Sequence, residues 1–360
     1  MRVTPYTPLE PAKIAIVGEA PGEEEDKQGI PFVGSSGREL SRMLQDAGIV
    51  REDCYITNVF LDRPPANDIH KWCVDSRTAT QEWRELGNTG KYPYKPLAPA
   101  KYLRLQYMHE RARLHAELEA IKPNVVIALG NTALWALTDD TGITKHRGTA
   151  MRSPHILAKI VPTYHPAAIL RAWDLRAICV SDLIKAARES RSPDIHLPVG
   201  NVWIKPTLSD VIQFKLLYLD KADFIGVDVE TARFEAGQLA HITCIGLSAG
   251  TRAICIPLVD RTKPDYSYWN AEEESVIYKL VKDVLHNDAP KVFQNGLYDI
   301  QYFRHYHINV KNAICDTMVM HHSLYPELPK DLGFLGSLYT NFPSWKHLRP
   351  RGLGGKDGSE

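Results

Sequence analysis

The sequence predicts an α/β protein of two domains, and three observations carry that prediction. Its 360 residues exceed what one hydrophobic core usually spans. Through the first half, short apolar runs bounded by turn residues alternate with segments of helical spacing. After a Ser- and Pro-containing stretch that begins at Ser190, a β-rich pattern restarts.

The elements follow in order. Residues 13–17, 55–60, 125–129 and 156–162 are short and largely apolar, as strands covered on both faces are. Residues 37–46 and 114–121 carry helical spacing between them, which gives an α/β sandwich on a parallel sheet. Residues 71–122 interrupt that rhythm with ten Lys or Arg, six Asp or Glu, and the aromatics Trp72, Trp83, Tyr92, Tyr94, Tyr102 and Tyr107. Such a mixture can hold a DNA backbone and stack bases, but solvated helix faces with anchoring aromatics are its commoner outcome and the preferred reading. A helix over 174–189 closes the first domain (1–190), and residues 191–201 read as a linker. The second domain (202–346) opens with three strands of a meander at 224–229, 241–248 and 251–257, then a helix over 271–286 and a strand at 291–294. Residues 347–360, rich in Gly and charge, have the composition of a disordered tail.

Charge and cysteine usage narrow the function classes. Lys plus Arg and Asp plus Glu both number 43, so any nucleic-acid affinity must come from local patches rather than net charge. Six cysteines lie far apart with no Cys-x-x-Cys pair, which suggests neither a disulfide framework nor a zinc knuckle and fits a reducing, cytoplasmic compartment. No apolar run approaches the 18 residues or so of a membrane span and no secretory signal is visible, so a soluble protein without membrane partners is expected.

Four pieces of the first half fit one pocket. They are Gly18-Glu-Ala-Pro-Gly22 with Glu23 to Asp26 and Pro31-Phe-Val-Gly34; Tyr55-Ile-Thr-Asn58 with Arg63-Pro-Pro65; Leu129-Gly-Asn131; and Thr163-Tyr-His-Pro-Ala-Ala-Ile-Leu-Arg171. Each lies in or just after an apolar run, and the carboxyl ends of parallel strands gather at one sheet edge where ligands bind. In order and wording these pieces resemble the uracil-DNA glycosylase superfamily, especially its family 4 branch, over roughly residues 12–190. The resemblance implies a three-layer αβα domain that removes a base from a flipped nucleotide, extruded at a cost of a few kcal/mol.

It also implies roles. Asn58, donor and acceptor at once, would read the imide edge of uracil, and Phe32 would stack on the base. His165 would donate to the carbonyl oxygen that gains charge as the base leaves. Ile169, with Leu170 beside it, would be the wedge, and Arg171 a phosphate contact. Gly18, Ala20 and Gly22 would form the floor of the pocket; Ala20 stands where better-known relatives have an Asp, and Gly22 where they have a Tyr that blocks the thymine methyl. The water-directing acid is therefore Glu19 or Glu25. Family 4 relatives hold a 4Fe-4S cluster on four cysteines. Here no cysteine precedes Cys54 and only Cys73 lies in the later region, so no cluster is expected.

A second constellation lies downstream. Asp228 and Glu230 are two apart on one strand and share a face; Asn295 and Asp299 are one helical turn apart. In this order they resemble the first two motifs of the DEDD-type 3′-5′ exonucleases. The stretch from Asp316 to Tyr339 resembles the proofreading domain of phage-type family A DNA polymerases. The resemblance implies a ribonuclease H-like fold with a mixed sheet, and Mg2+ (or Mn2+) held by Asp228, Glu230 and Asp299 while Asn295 orients its neighbours. The third motif, a Tyr or His separated from an Asp by three or four intervening residues, is absent: Tyr325 and Tyr339 lack the Asp. The expectation is the front part of such a polymerase: a base-excising domain and a weakened proofreading domain, acting on single-stranded or flipped-base DNA, with the remaining polymerase segment as a possible separate partner chain. The alternative is a non-catalytic DNA- or uracil-binding accessory module.

Overall fold

A computed structural model describes residues 2–195, 199–233 and 240–340. The expected tail at 347–360 and part of the expected linker lie outside the described residues. In chain order the first half contains β1 (Ile14–Gly18), α1 (Glu23–Gln28), α2 (Ser35–Asp46), β2 (Tyr55–Asn58), β3 (Cys73–Val74), α3 (Ser76–Glu85), β4 (Tyr102–Leu103) and α4 (Met108–Ile121). It continues with β5 (Val125–Leu129), α5 (Gly130–Thr138), α6 (Ile143–His146), β6 (Met151–Arg152), β7 (Lys159–Thr163), α7 (Pro166–Ile169) and α8 (Leu175–Glu189).

The sheet of this unit has the order β2-β1-β5-β7-β6. Its first four strands are parallel, with Gly18 opposite Asn58 and Leu129 opposite Thr163. Four strand ends therefore finish at one edge. Each face of the sheet is covered by its own apolar cluster. One holds Val17, Val126, Trp135 and Leu114, and the other holds Ile16, Leu40, Ile127 and Leu183. This is the three-layer αβα arrangement. Within 71–122 the aromatics pack on one another: Trp72 stacks on Tyr107 with centroids 4.6 Å apart, and Tyr92 meets Trp83, Tyr94 and Tyr102 edge-on. They pack around the small antiparallel β3/β4 pair instead of standing in solvent.

The second half contains β8 (Asn201–Ile204), α9 (Leu208–Leu217), β9 (Ile225–Ala232), β10 (His241–Ala249), β11 (Arg252–Pro257), α10 (Ala271–His286), β12 (Lys291–Phe293), α11 (Leu297–His305), β13 (Ala313–Asp316), α12 (Thr317–Leu324) and α13 (Leu332–Tyr339). The sheet order is β13-β12-β9-β10-β11-β8. The β9-β10-β11 meander is antiparallel, and β12 and β13 are added in parallel to β9. That is the mixed sheet of the ribonuclease H-like fold, extended at one edge by β8 running parallel to β11. The sequence predicts no strand there, where the linker ends, because four residues followed closely by Pro206 are too short to show a period.

Two compact units result, Met1–Leu197 with the segment from Gly336, and a second beginning at Pro198. The segment from Gly336 thus groups with the first unit, where Lys185 Nζ donates to the Thr340 carbonyl at 2.8 Å; the sequence had assigned it to the second domain.

One buried ion pair locks the end of β7. Asp182 on α8, fully buried, accepts from Arg147 Nε at 2.9 Å and from Thr163 Oγ1 at 2.8 Å. Removing one partner leaves the other charged and unpaired in the core. Asp182→Ala should therefore cost about 3–5 kcal/mol in urea unfolding followed by far-ultraviolet circular dichroism. A loss below 1 kcal/mol would show that the pair does not anchor β7.

Candidate active site

The strand ends open into a cavity of about 960 Å3. Glu19, Ala20, Gly22, Glu25, Phe32, Asn58, His165 and Arg171 all line it, so residues spread over 150 positions meet in one crevice. Gly18 lies beneath them. A Cβ at that position would stand 2.3 Å from Asn58 Oδ1 and 2.4 Å from Phe32 Cζ, so both side chains occupy the space a larger residue would need.

Phe32 is held in an uncommon conformation. Its φ is +56°, a left-handed backbone that costs a non-glycine residue roughly 1–3 kcal/mol and persists only when surroundings over-determine it. Arg51 supplies the constraint: Nη2 donates to the carbonyls of Pro31 and Phe32 at 3.1 Å, and Nη1 donates to Ser41 Oγ at 3.0 Å. Gly37 completes it, since a Cβ there would overlap the Phe32 carbonyl at 1.9 Å. The Phe32 ring lies 6.1 Å, centroid to centroid, from that of His165.

The two candidate acids differ in what they touch. Glu25 Oε1 accepts from the amides of Val33 and Gly34 at 3.0 and 2.8 Å, which ties α1 to the start of α2. Glu19 follows β1, its carbonyl accepting from the Phe60 amide at 3.0 Å, and its carboxylate accepts from Thr132 Oγ1 on α5. Burial pushes its pKa up against the lowering effect of the Thr132 bond and of His70, while Asp68 adds to the rise. A carboxylate so placed is a stronger base than one in water.

His165 caps α7: its Nδ1 accepts from the Ala167 amide at 3.2 Å. An accepting Nδ1 leaves the proton on Nε2. Burial, helped by the nearby Arg171, lowers its pKa to about 4, with Glu25 acting in the other direction. The imidazole is therefore neutral at physiological pH and carries one donor. Gly130, at φ +87°, leaves room for it, since a Cβ there would press to 3.1 Å from the His165 Cβ.

One assignment is corrected. Ile169 is 1 % exposed and packs in the core with Leu40 and Leu183, so it is not a wedge; Leu170, at 50 % exposure, faces solvent. The sequence missed Thr132, His70 and Arg51. Thr132, two residues after the Gly130-Asn131 pair, was within reach of the strand-end argument, whereas Arg51 left no local signal.

In the second unit Asp228 and Glu230 are exposed on one face of β9, and Asp299 is buried with Oδ1 accepting from the Val229 amide at 2.8 Å. Burial, with Asp228 and Asp316 nearby, raises the Asp299 pKa to about 6, although the Val229 amide acts against it. Asn295 is exposed, and its amide and that of Gly296 donate to Asp316, an acid that the sequence reading left out of the site. Among the described residues no three His, Cys, Asp or Glu side chains stand close enough together to hold a metal ion. Asp228, Glu230 and Asp299 thus do not close into the ligand set expected of them. An iron-sulfur cluster does not fit the first unit either. Cys54, Cys73 and Cys179 are three thiols where four thiolates are needed, and burial raises their pKa values to about 12, 11 and 12.

With this geometry in view, the comparisons with known proteins fall into place. The sequence profile described as "Uracil DNA glycosylase superfamily" matches residues 4–185. A type-4 uracil-DNA glycosylase of Thermotoga maritima is 39 % identical over 180 residues, 48 % of this chain and 76 % of the relative. A DNA polymerase of Bacillus phage SP01 is 25 % identical over 336 residues, 86 % of this chain but 32 % of the polymerase. Among solved structures, RNase D of Escherichia coli matches at a TM-score of 0.32 and 15 % identity, covering 43 % of this chain and 39 % of that one. The chain belongs to the uracil-DNA glycosylase superfamily, a class of hydrolases.

The strained Phe32 turn is testable without any substrate. Arg51→Ala should lower the hydrogen-exchange protection of the Val33 and Gly34 amides by roughly 10- to 100-fold, the worth of one hydrogen bond to a charged group, with Arg51→Lys retaining part of it. Unchanged protection would remove Arg51 from the account.

Proposed function

We propose that the first unit hydrolyses the N-glycosidic bond of uracil in DNA. The observation that carries this reading is His165, whose Nδ1 is occupied by the Ala167 amide and whose Nε2 proton is thereby reserved for the crevice. A flipped uracil seated against Phe32 would meet the Asn58 amide at its imide edge. As the bond between C1′ and N1 breaks, the electron pair leaves with the base, and the uracil O2 that gains negative charge accepts from His165 Nε2. Water adds to C1′ and loses its proton to a carboxylate, giving an abasic site and the uracil anion, which takes up a proton from solvent as free uracil. Glu19 is the acid for that water: Glu25 Oε1 already binds two backbone amides, while Glu19 lines the crevice with a raised pKa. Glu25 is a positioning residue that holds Phe32 and α2. Leu170, next to Arg171, takes the wedge role that Ile169 cannot.

For the second unit we infer a weakened 3′-5′ exonuclease module that handles DNA strands beside the first. The polymerase alignment running through both units supports placing the chain in DNA replication. A non-catalytic role for this unit is favoured to the extent that its acids do not close around an ion.

A uracil-containing duplex should yield abasic product with the intact chain, and Glu19→Gln should slow it by about 10²–10⁴-fold, the usual weight of a general base. Glu25→Gln should act through KM and stability. Full activity of Glu19→Gln would overturn the assignment. Since the folded Glu19 pKa is raised, its ionised form is lost as pH falls through a value above the ordinary 4.5, and the acid limb of kcat/KM should lie there. His165, at about 4, adds no limb near 6.5. A limb near 6.5 that survives Glu19→Gln would contradict this. Digestion of a 3′-labelled strand in Mg2+ should be slow and lost in Asp228→Ala; robust digestion in that variant would remove Asp228 from the site.

A further inference from the structure

Two residues beyond Arg171 at the rim of the crevice, the turn that joins α7 to α8 presents Trp173 with 63 % of its surface exposed. Its indole is a large planar apolar surface with a polar edge, held outside the core. The turn is built to hold it. The amides of Arg171 and Ala172 donate to the Ala168 carbonyl at 3.1 and 3.0 Å, and the Arg176 amide donates to the Trp173 carbonyl at 3.0 Å. The Arg176 guanidinium sits over the indole at 5.3 Å. It is fixed in turn by Glu39 at 2.8 Å and Asp46 at 2.6 Å, so the ring is oriented by a clamped cation.

We propose that Trp173 is a stacking platform for a DNA base flanking the flipped nucleotide, working beside the exposed Leu170 and Arg171. The occupant is fixed by continuity with the crevice: Arg171 lines it and Trp173 follows two residues later. A planar aromatic next to a cation suits a base and its phosphate, whereas an apolar protein partner would leave Arg171 unmatched. This inference rests on the glycosylase reading of the same crevice and extends it from the base to the strand.

The test uses the full chain and a fluorescein-labelled duplex carrying one 2′-fluoro-deoxyuridine, which resists cleavage, so that binding is read apart from catalysis. By anisotropy, Trp173→Ala should weaken binding by roughly 5- to 100-fold, the worth of one stacked base, and Trp173→Phe should recover most of the loss. Tryptophan emission should be quenched on adding duplex, and that quenching should shrink in Trp173→Phe. Equal affinity of Trp173→Ala and the parent, or no binding of the duplex by the parent, overturns the proposal. If the parent binds with Trp173 quenched yet releases no uracil from a cleavable duplex, the glycosylase reading fails while the platform stands.

Discussion

The site depends on a close approach that only glycine permits. With no side chain at residue 18, the Phe32 ring and the Asn58 amide both pack over the end of β1, and two residues that line the crevice come to share one floor. Everything around that contact holds it in place. Parallel pairing sets Gly18 directly opposite Asn58, and Arg51 and Gly37 keep Phe32 in its left-handed turn. Glu25 ties the next helix to the same loop. A methyl group at residue 18 would displace one partner or the other, whatever the rest of the fold did.

Acid groups in this fold differ by what surrounds them more than by where they lie in sequence. Glu19 and Glu25 are six residues apart, yet two backbone amides hold one and a single hydroxyl holds the other. One is tied to the amides of Val33 and Gly34, and the other lines the crevice with its pKa raised by burial. In the second unit Asp299 is raised by burial and by neighbouring acids, the electrostatic state a cation would relieve. Yet its companions stay spread along β9. The crevice of the first unit thus has a donor and an acceptor placed, whereas the acids of the second unit do not gather into a set that could hold a metal ion.

Much of this was legible in the sequence, for a physical reason. Parallel strands end at a common edge, so words such as Gly-Glu-Ala-Pro-Gly and Tyr-His-Pro-Ala after apolar runs had to meet. The meander of the second sheet and the helix and strand that follow it were likewise readable from their periods. What stayed hidden depended on partners far along the chain or on a single step of rotation. The choice between Glu19 and Glu25 turned on the amides of Val33 and Gly34, which no side-chain pattern reveals. The exchange of Ile169 for Leu170 came from a helix of only four residues, in which one position of rotation moves a side chain from solvent to core. Arg51 reaches Phe32 across 19 residues with nothing in its own neighbourhood to mark it.

The central claim is that the crevice offers a neutral imidazole donor at neutral pH, and the 15N spectrum of histidine-labelled protein tests it directly, with His165 assigned by its loss in His165→Gln. The account predicts one protonated and one unprotonated ring nitrogen, with Nε2 carrying the proton, unchanged from pH 8 down to pH 5.5. A ring that takes up a second proton near pH 6.5, or one protonated on Nδ1, would contradict it.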